Sequence, residues 1–189
     1  MKTYYHVSSF LKENQVLTHD TKNNYEFCKL ICRTDISSSY NKYIELLRTL
    51  EEKNVEKETG RDVFKWSCES IFEMIRFKHY NSNPSRVWGI FVSESLEDAH
   101  LFNKNYRNGE SKIFEIQPKS IVYKFDMDIF TEADKLLREN SSVSNYEKSI
   151  KLAHEYWKGI LKKEQTNIEY LFDYGKDEEV VVGKSINFP

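Results

Sequence analysis

Glycine and proline are scarce in this chain, with 6 and 3 among 189 residues. Nowhere do they gather into a linker, and no internal repeat is present. Residues 1–189 therefore read as a single domain, long enough to bury a core without staples. No G-x-G-x-x-G or G-x-x-x-x-G-K-[ST] run occurs, which excludes a Rossmann or P-loop cradle for any nucleotide the chain binds. Cysteine is limited to Cys28, Cys32 and Cys68. The first two are spaced CxxxC with no second pair at metal-ligand spacing, so reduced, partly buried thiols are expected, with neither a disulfide framework nor a metal. No apolar run approaches the ~18 residues of a membrane span. The segment Met1–His6 has no signal-type apolar stretch, so a cytoplasmic location and no membrane partner are expected. A formal net charge of -2 removes the global electrostatic argument for nucleic acid.

What the chain does have is aromatic residues, 12 Tyr, 12 Phe and 3 Trp, in an otherwise ordinary soluble balance of apolar and charged residues. Strands are expected at residues 2–8, 87–93, 112–116, 121–125, 168–172 and 178–182, where β-branched and aromatic residues cluster between turn signals. Residues 12–24 read as a connection. Helical spacing of apolar residues predicts helices over 40–58, ended by Gly60, and over 62–80, with Asp62 as N-cap. A stripe of Val63, Trp66, Ser67, Ser70, Met74 and Phe77 is expected on the second. Further helices are expected after Ser93 or Ser95, over 132–139, and over 146–163, the last burying Ile150, Ala153, Trp157 and Ile160. Strands at both ends with helices between them argue for α+β over a doubly wound parallel sheet.

Three short blocks carry the chemistry-bearing side chains. Tyr5-His6-Val7-Ser8 places a histidine in a strand, where a structural role is the plainer reading. Gly89-Ile90-Phe91-Val92-Ser93 precedes a helix carrying Ala99 and Phe102, and both phenylalanines suit a core as well as a ligand. Glu178-Glu179 enters Val180-Val181-Val182. Because strand neighbours face opposite sides, at most one of the two carboxylates points inward, and the apolar run behind it favours Glu179. Phe72-Glu73-Met74-Ile75-Arg76 and Asn83-Pro84-Ser85-Arg86 add two arginines. Glu73 and Arg76, at i and i+3, also make an ordinary helix pair.

Taken in order, these blocks resemble the ADP-ribosyltransferase superfamily in its histidine-tyrosine-glutamate form. The ExxR helix and PSR turn are similar to those of a little-characterised bacterial or phage branch. The resemblance implies an ADP-ribosyltransferase-like split β-sheet core with helices inserted between strands, binding NAD in a cleft between two small sheets. It implies a mono-ADP-ribosyltransferase that cleaves the nicotinamide–ribose bond and passes ADP-ribose to an acceptor: protein, nucleic acid or small molecule. Toxin, antiviral-defence and phage-effector roles belong to such a branch. On this resemblance His6 holds the ribose, and Tyr5, Ser8 and Ser93 line the nucleotide. Phe91 and Phe102 bracket the nicotinamide ring, and Glu179 is the catalytic carboxylate; a cation such as Arg86 or Arg76 would pair with the pyrophosphate through its planar fork of donors. Val7 stands where the family has glycine and Phe91 where it has tyrosine. Phenylalanine keeps the stacking face and loses the phenol. These two departures motivate the alternative of a non-catalytic nucleotide-binding or interaction module of the same fold. Transfer of an RNA 2′-phosphate to NAD, the work of another branch, is a further alternative.

Overall fold

A computed structural model describes residues 2–17, 25–161, 167–172 and 180–186. In chain order its elements are β1 (Tyr4–Ser8), β2 (Val16–Leu17), α1 (Tyr25–Arg33), a 3-10 turn at Ile36–Ser38, α2 (Tyr40–Glu52), α3 (Val55–Thr59) and α4 (Val63–His79). There follow β3 (Ile90–Val92), α5 (Leu96–Arg107), β4 (Lys112–Ile116), β5 (Tyr123–Asp126), α6 (Met127–Glu139), α7 (Val143–Trp157), β6 (Ile168–Phe172) and β7 (Val180–Ile186). This is an α+β fold, with two sheets and helices interspersed between their strands, as expected at that level. Contacts gather into two compact units: residues 1–21, 88–124 and 169–189, and residues 22–87 and 125–168.

Four strands form a sheet in the order β1-β4-β7-β2, and three form a second in the order β3-β6-β5, both built chiefly from the first unit. The β1–β4, β4–β7, β2–β7 and β3–β6 pairs are all antiparallel. The period-two rule is visible in β7, where Val180 and Val182 are buried and Val181 is exposed. Leu11, Leu17, Ile90, Val92, Phe114 and Ile116 join Phe172, Val180 and Val182 in one core, against which Tyr4, Val122 and Tyr170 pack. Along the β4–β7 ladder the register slips by one residue between the Phe114–Ser185 and Ile116–Val182 pairs. Gly183 sits in this bulge, and a Cβ there would meet the Glu115 carbonyl oxygen at 2.7 Å. The close approach is what requires glycine.

The second unit is helical and is organised around α4. Asp62 caps it as expected, its carboxylate accepting from the Lys65 amide at 3.0 Å. From Trp66 to Ile75 every residue of α4 is buried, so the helix is enclosed on all sides where a one-sided stripe was expected. Phe77 is not part of that stripe but is 65% exposed. Ile160 is also exposed, because α7 ends at Trp157 and the chain has left the helix before reaching it. The expected 40–58 helix is broken at Asn54, whose φ of 51° is left-handed, giving α2 and α3. The helix α1 and the short strand β2 were not foreseen. Strand 87–93 contracts to Ile90–Val92, and α6 starts at Met127, ahead of 132.

Gly183→Ala should force the β4–β7 backbone apart and cost about 1–3 kcal/mol, the usual range for overpacking a closed site. Urea denaturation of parent and variant measures this. A change below roughly 0.5 kcal/mol, the size of an ordinary surface substitution, would mean that the bulge relaxes freely.

Candidate functional site

Where β1 and β3 meet, the antiparallel ladder makes one rung and stops. The Tyr5 amide donates to the Ser93 carbonyl at 3.0 Å and the Ser93 amide donates back to the Tyr5 carbonyl at 2.8 Å. In an antiparallel pair the main-chain groups of alternate residues face the same neighbour. Tyr5 and Val7 therefore present their N–H and C=O toward β3, while Tyr4, His6 and Ser8 present theirs toward β4. The next rung would bring Val7 to Phe91. Instead, His6 Nδ1 stands 2.7 Å from the Phe91 carbonyl oxygen. A carbonyl can only accept, so Nδ1 carries the proton, and in the neutral ring Nε2 is the lone-pair nitrogen. Among the described residues the Val7 main chain has no partner on this side. Among the described residues, a short stretch of strand edge thus stays unpaired beside an imidazole.

The sheet face next to this edge follows from register. Phe91 pairs with Leu171, and Val92 pairs with Tyr170. Ile90, Val92, Tyr170 and Phe172 belong to the core face, so Phe91, Ser93, Leu171 and Glu169 share the opposite face. Glu169 was not singled out from sequence. Its only local signal is an acidic residue inside an apolar strand, Ile168-Glu169-Tyr170-Leu171-Phe172, and its nearness to Phe91 is visible only through the β3–β6 pairing. Just past β3, the Tyr170 hydroxyl donates to Glu94 at 2.6 Å, and Lys2 pairs with the same carboxylate. Hydrogen bonds from Lys2 and then Tyr170 hold the Glu94 carboxyl below the usual carboxylate range. Burial, followed by the neighbouring Glu94, pushes the Tyr170 phenol well up.

The remaining expected residues are placed as follows. Ser8 is buried, and its hydroxyl accepts from the Phe10 and Leu11 amides, each at 3.3 Å, closing the turn after β1. Phe102 is turned outward on α5. That helix buries Ala99 and Asn103, leaving Phe102 42% exposed with its ring 5.1 Å from that of Tyr106. Glu178 and Glu179 lie outside the described residues. Among the described residues no cluster of three or more His, Cys, Asp or Glu side chains is arranged to hold a metal ion.

Arg86 belongs to the helical unit, in a buried polar network. Its guanidinium donates to both Glu69 oxygens, at 2.9 and 3.2 Å, and to the Tyr156 hydroxyl at 2.8 Å. It also lies 3.9 Å from the centre of the Phe130 ring. Next to it, Glu73 receives two bonds from Arg76 and one from the Ser85 hydroxyl, and Arg76 donates to the Asn83 carbonyl at 3.0 Å. The ExxR helix and the PSR turn thus meet in one construction, joined by Glu69 one turn earlier. Burial works against the Glu69 charge, but the Arg86 guanidinium and its hydrogen bonds outweigh it and hold the carboxyl low. The Arg86 fork is committed to this network.

Residues 4–187, nearly the whole chain, match the model of a family described as Protein of unknown function (DUF2441). No curated protein matches the chain.

Arg86→Met should leave Glu69 buried without its partner and cost about 3–5 kcal/mol, whereas the Glu69→Met, Arg86→Met double variant should recover much of that loss. The pH dependence should also invert. With its carboxyl held low, Glu69 contributes stability at neutral pH that is lost as pH falls through the carboxylate range. Without Arg86 the buried acid is favoured in its neutral form, so the variant should lose stability as pH rises through that range. Chemical denaturation across pH checks both effects. Equal stability of parent and Arg86→Met would show that the pair does not hold the unit together.

Proposed function

The chain belongs to this family of unknown function, and we propose that it is an NAD-dependent ADP-ribosyltransferase-like enzyme whose substrate site is the open end of the β1–β3 seam. The observation that carries this reading is the Val7 edge beside His6, which has no main-chain partner among the described residues. A carboxamide such as that of nicotinamide sets an N–H donor beside a C=O acceptor, which is the complement of a strand residue's C=O and N–H. Valine in place of glycine leaves these groups available, since they lie in the plane of the sheet while the side chain stands on its face. The Phe91 carbonyl orients the Nδ1–H of His6, so Nε2 is the ring nitrogen that would accept from a ribose hydroxyl.

NAD contributes a glycosidic bond whose cleavage develops positive charge on the ribose. A fixed carboxylate then stabilises the transition state more than the ground state. His6 approaches the open edge from the face that it shares with Tyr4 and Phe114, while Glu169 shares a face with Phe91 and Ser93 and would approach the edge from there. The Phe91 ring offers a stacking surface on that same face. The alternation on β1 and the single rung to Ser93 together support a cleft between the two sheets of this unit. Arg86 has no part in the site as proposed, because its donors are taken by Glu69 and Tyr156.

The test is release of free nicotinamide from NAD by the purified chain, followed by chromatography, with candidate protein and nucleic-acid acceptors added. The parent should release it. His6→Ala and Glu169→Gln should each cut the rate roughly a hundredfold or more, the scale of losing a preorganised transition-state group. A loss confined to Glu179→Gln would transfer the carboxylate's role to that residue and keep the seam. A folded parent that releases no nicotinamide, and whose melting curve millimolar NAD does not shift, would contradict the reading.

A further inference from the structure

The last residue of α4, His79, and the half-buried His154 of α7 bring their rings to within 5.0 Å, centre to centre, with planes 51° apart. Two imidazoles bound to one cation through nitrogens at about 2.0–2.1 Å, in a tetrahedral arrangement, hold their ring centres roughly 5 Å apart. The spacing therefore suits a shared ligand. Tyr80 adds a second independent feature, its hydroxyl standing 3.1 Å from His154 Nδ1. When the phenol accepts from Nδ1–H, the tautomer is set and Nε2 keeps its lone pair for a metal, the arrangement by which outer groups orient ligating histidines. Neither imidazole has any other hydrogen-bond or ion-pair partner among the described residues. Burial, then the nearby His79 and Lys158, favour the neutral form of His154, the form that ligates. Two rings this close repel when both are protonated. A cation between two lone pairs turns the same proximity into a gain.

We propose that His79 and His154 form a two-imidazole site for a divalent first-row transition cation of the Zn2+ or Cu2+ kind, with Tyr80 as the outer group that orients His154. With two protein ligands the cation keeps open positions for water or for a further ligand. This site lies within the helical unit and does not depend on the nucleotide reading, so either can fail alone.

The experiment is a calorimetric titration of the untagged full chain with Zn2+ and separately with Cu2+, at neutral pH. The parent should bind one equivalent, Cu2+ more tightly than Zn2+. His79→Ala and His154→Ala should each weaken binding by at least tenfold, and Tyr80→Phe by about tenfold, the lower end for an outer-group loss. His100→Ala should bind like the parent. The Cu2+ complex should show coupling to two imidazole nitrogens in its electron paramagnetic resonance spectrum, and one nitrogen in either alanine variant. The proposal is overturned if the parent takes up neither ion, or if His154→Ala gives the parent's isotherm.

Discussion

The site in the sheet unit depends on a hydrogen bond that replaces a ladder bond: His6 Nδ1 to the Phe91 carbonyl, at 2.7 Å. After the Tyr5–Ser93 rung, regular pairing would place the Val7 amide on that carbonyl. The imidazole takes the acceptor instead, and the two strands stop pairing with main-chain groups still presented. An unpaired strand edge is something folded proteins ordinarily cover, twist away or charge. On the proposed reading, an edge without a partner among the described residues, next to a tautomer-fixed imidazole, is a place kept for a ligand that carries its own amide.

The helical unit solves a different problem. Glu69 and Arg86 are withdrawn from water almost completely, with side-chain exposures of 8% and 2%. Such pairs are weak sources of net stability, because desolvation offsets their attraction. Their value here is in geometry. Arg86 is a planar fork with fixed directions, and Glu69, Tyr156 and the Phe130 ring each occupy one of its sides. Ser85 meanwhile ties the adjoining turn to Glu73 at 3.0 Å and accepts from the Val87 amide at 3.1 Å. The segment after α4 is thereby held in one conformation in a way that an apolar core, which has no direction, would not impose.

Local signals were legible in the sequence and long-range ones were not. The Asp62 cap, the strands at 4–8, 112–116 and 168–172, and the turn residues around Pro84 all declare themselves within a few residues. The helix α1 did not, because its nine residues, Tyr25–Arg33, follow a polar stretch and bury only a narrow stripe that includes Cys28 and Ile31. The outward turn of Phe102 required knowing which face of α5 packs, and that face buries Ala99 and the polar Asn103. The arginine of the PSR turn stood out as a cation, but its partner Glu69 lies in an earlier turn of α4. Glu169 drew no notice because its face is set by pairing with a strand far away in the chain. His79 and His154 meet for the same non-local reason.

Resolved backbone amide signals of the labelled chain, followed by nuclear magnetic resonance during NAD titration, test the central claim most directly. The Val7 amide, without a partner among the described residues, should move downfield saturably as it gains an acceptor. The Tyr5 and Ser93 amides, each already donating to the other residue's carbonyl, should shift little, and the His6 ring should keep its proton on Nδ1. A Val7 amide that stays fixed while NAD saturates the protein, with shifts appearing elsewhere, would contradict the account and place the nucleotide away from the seam.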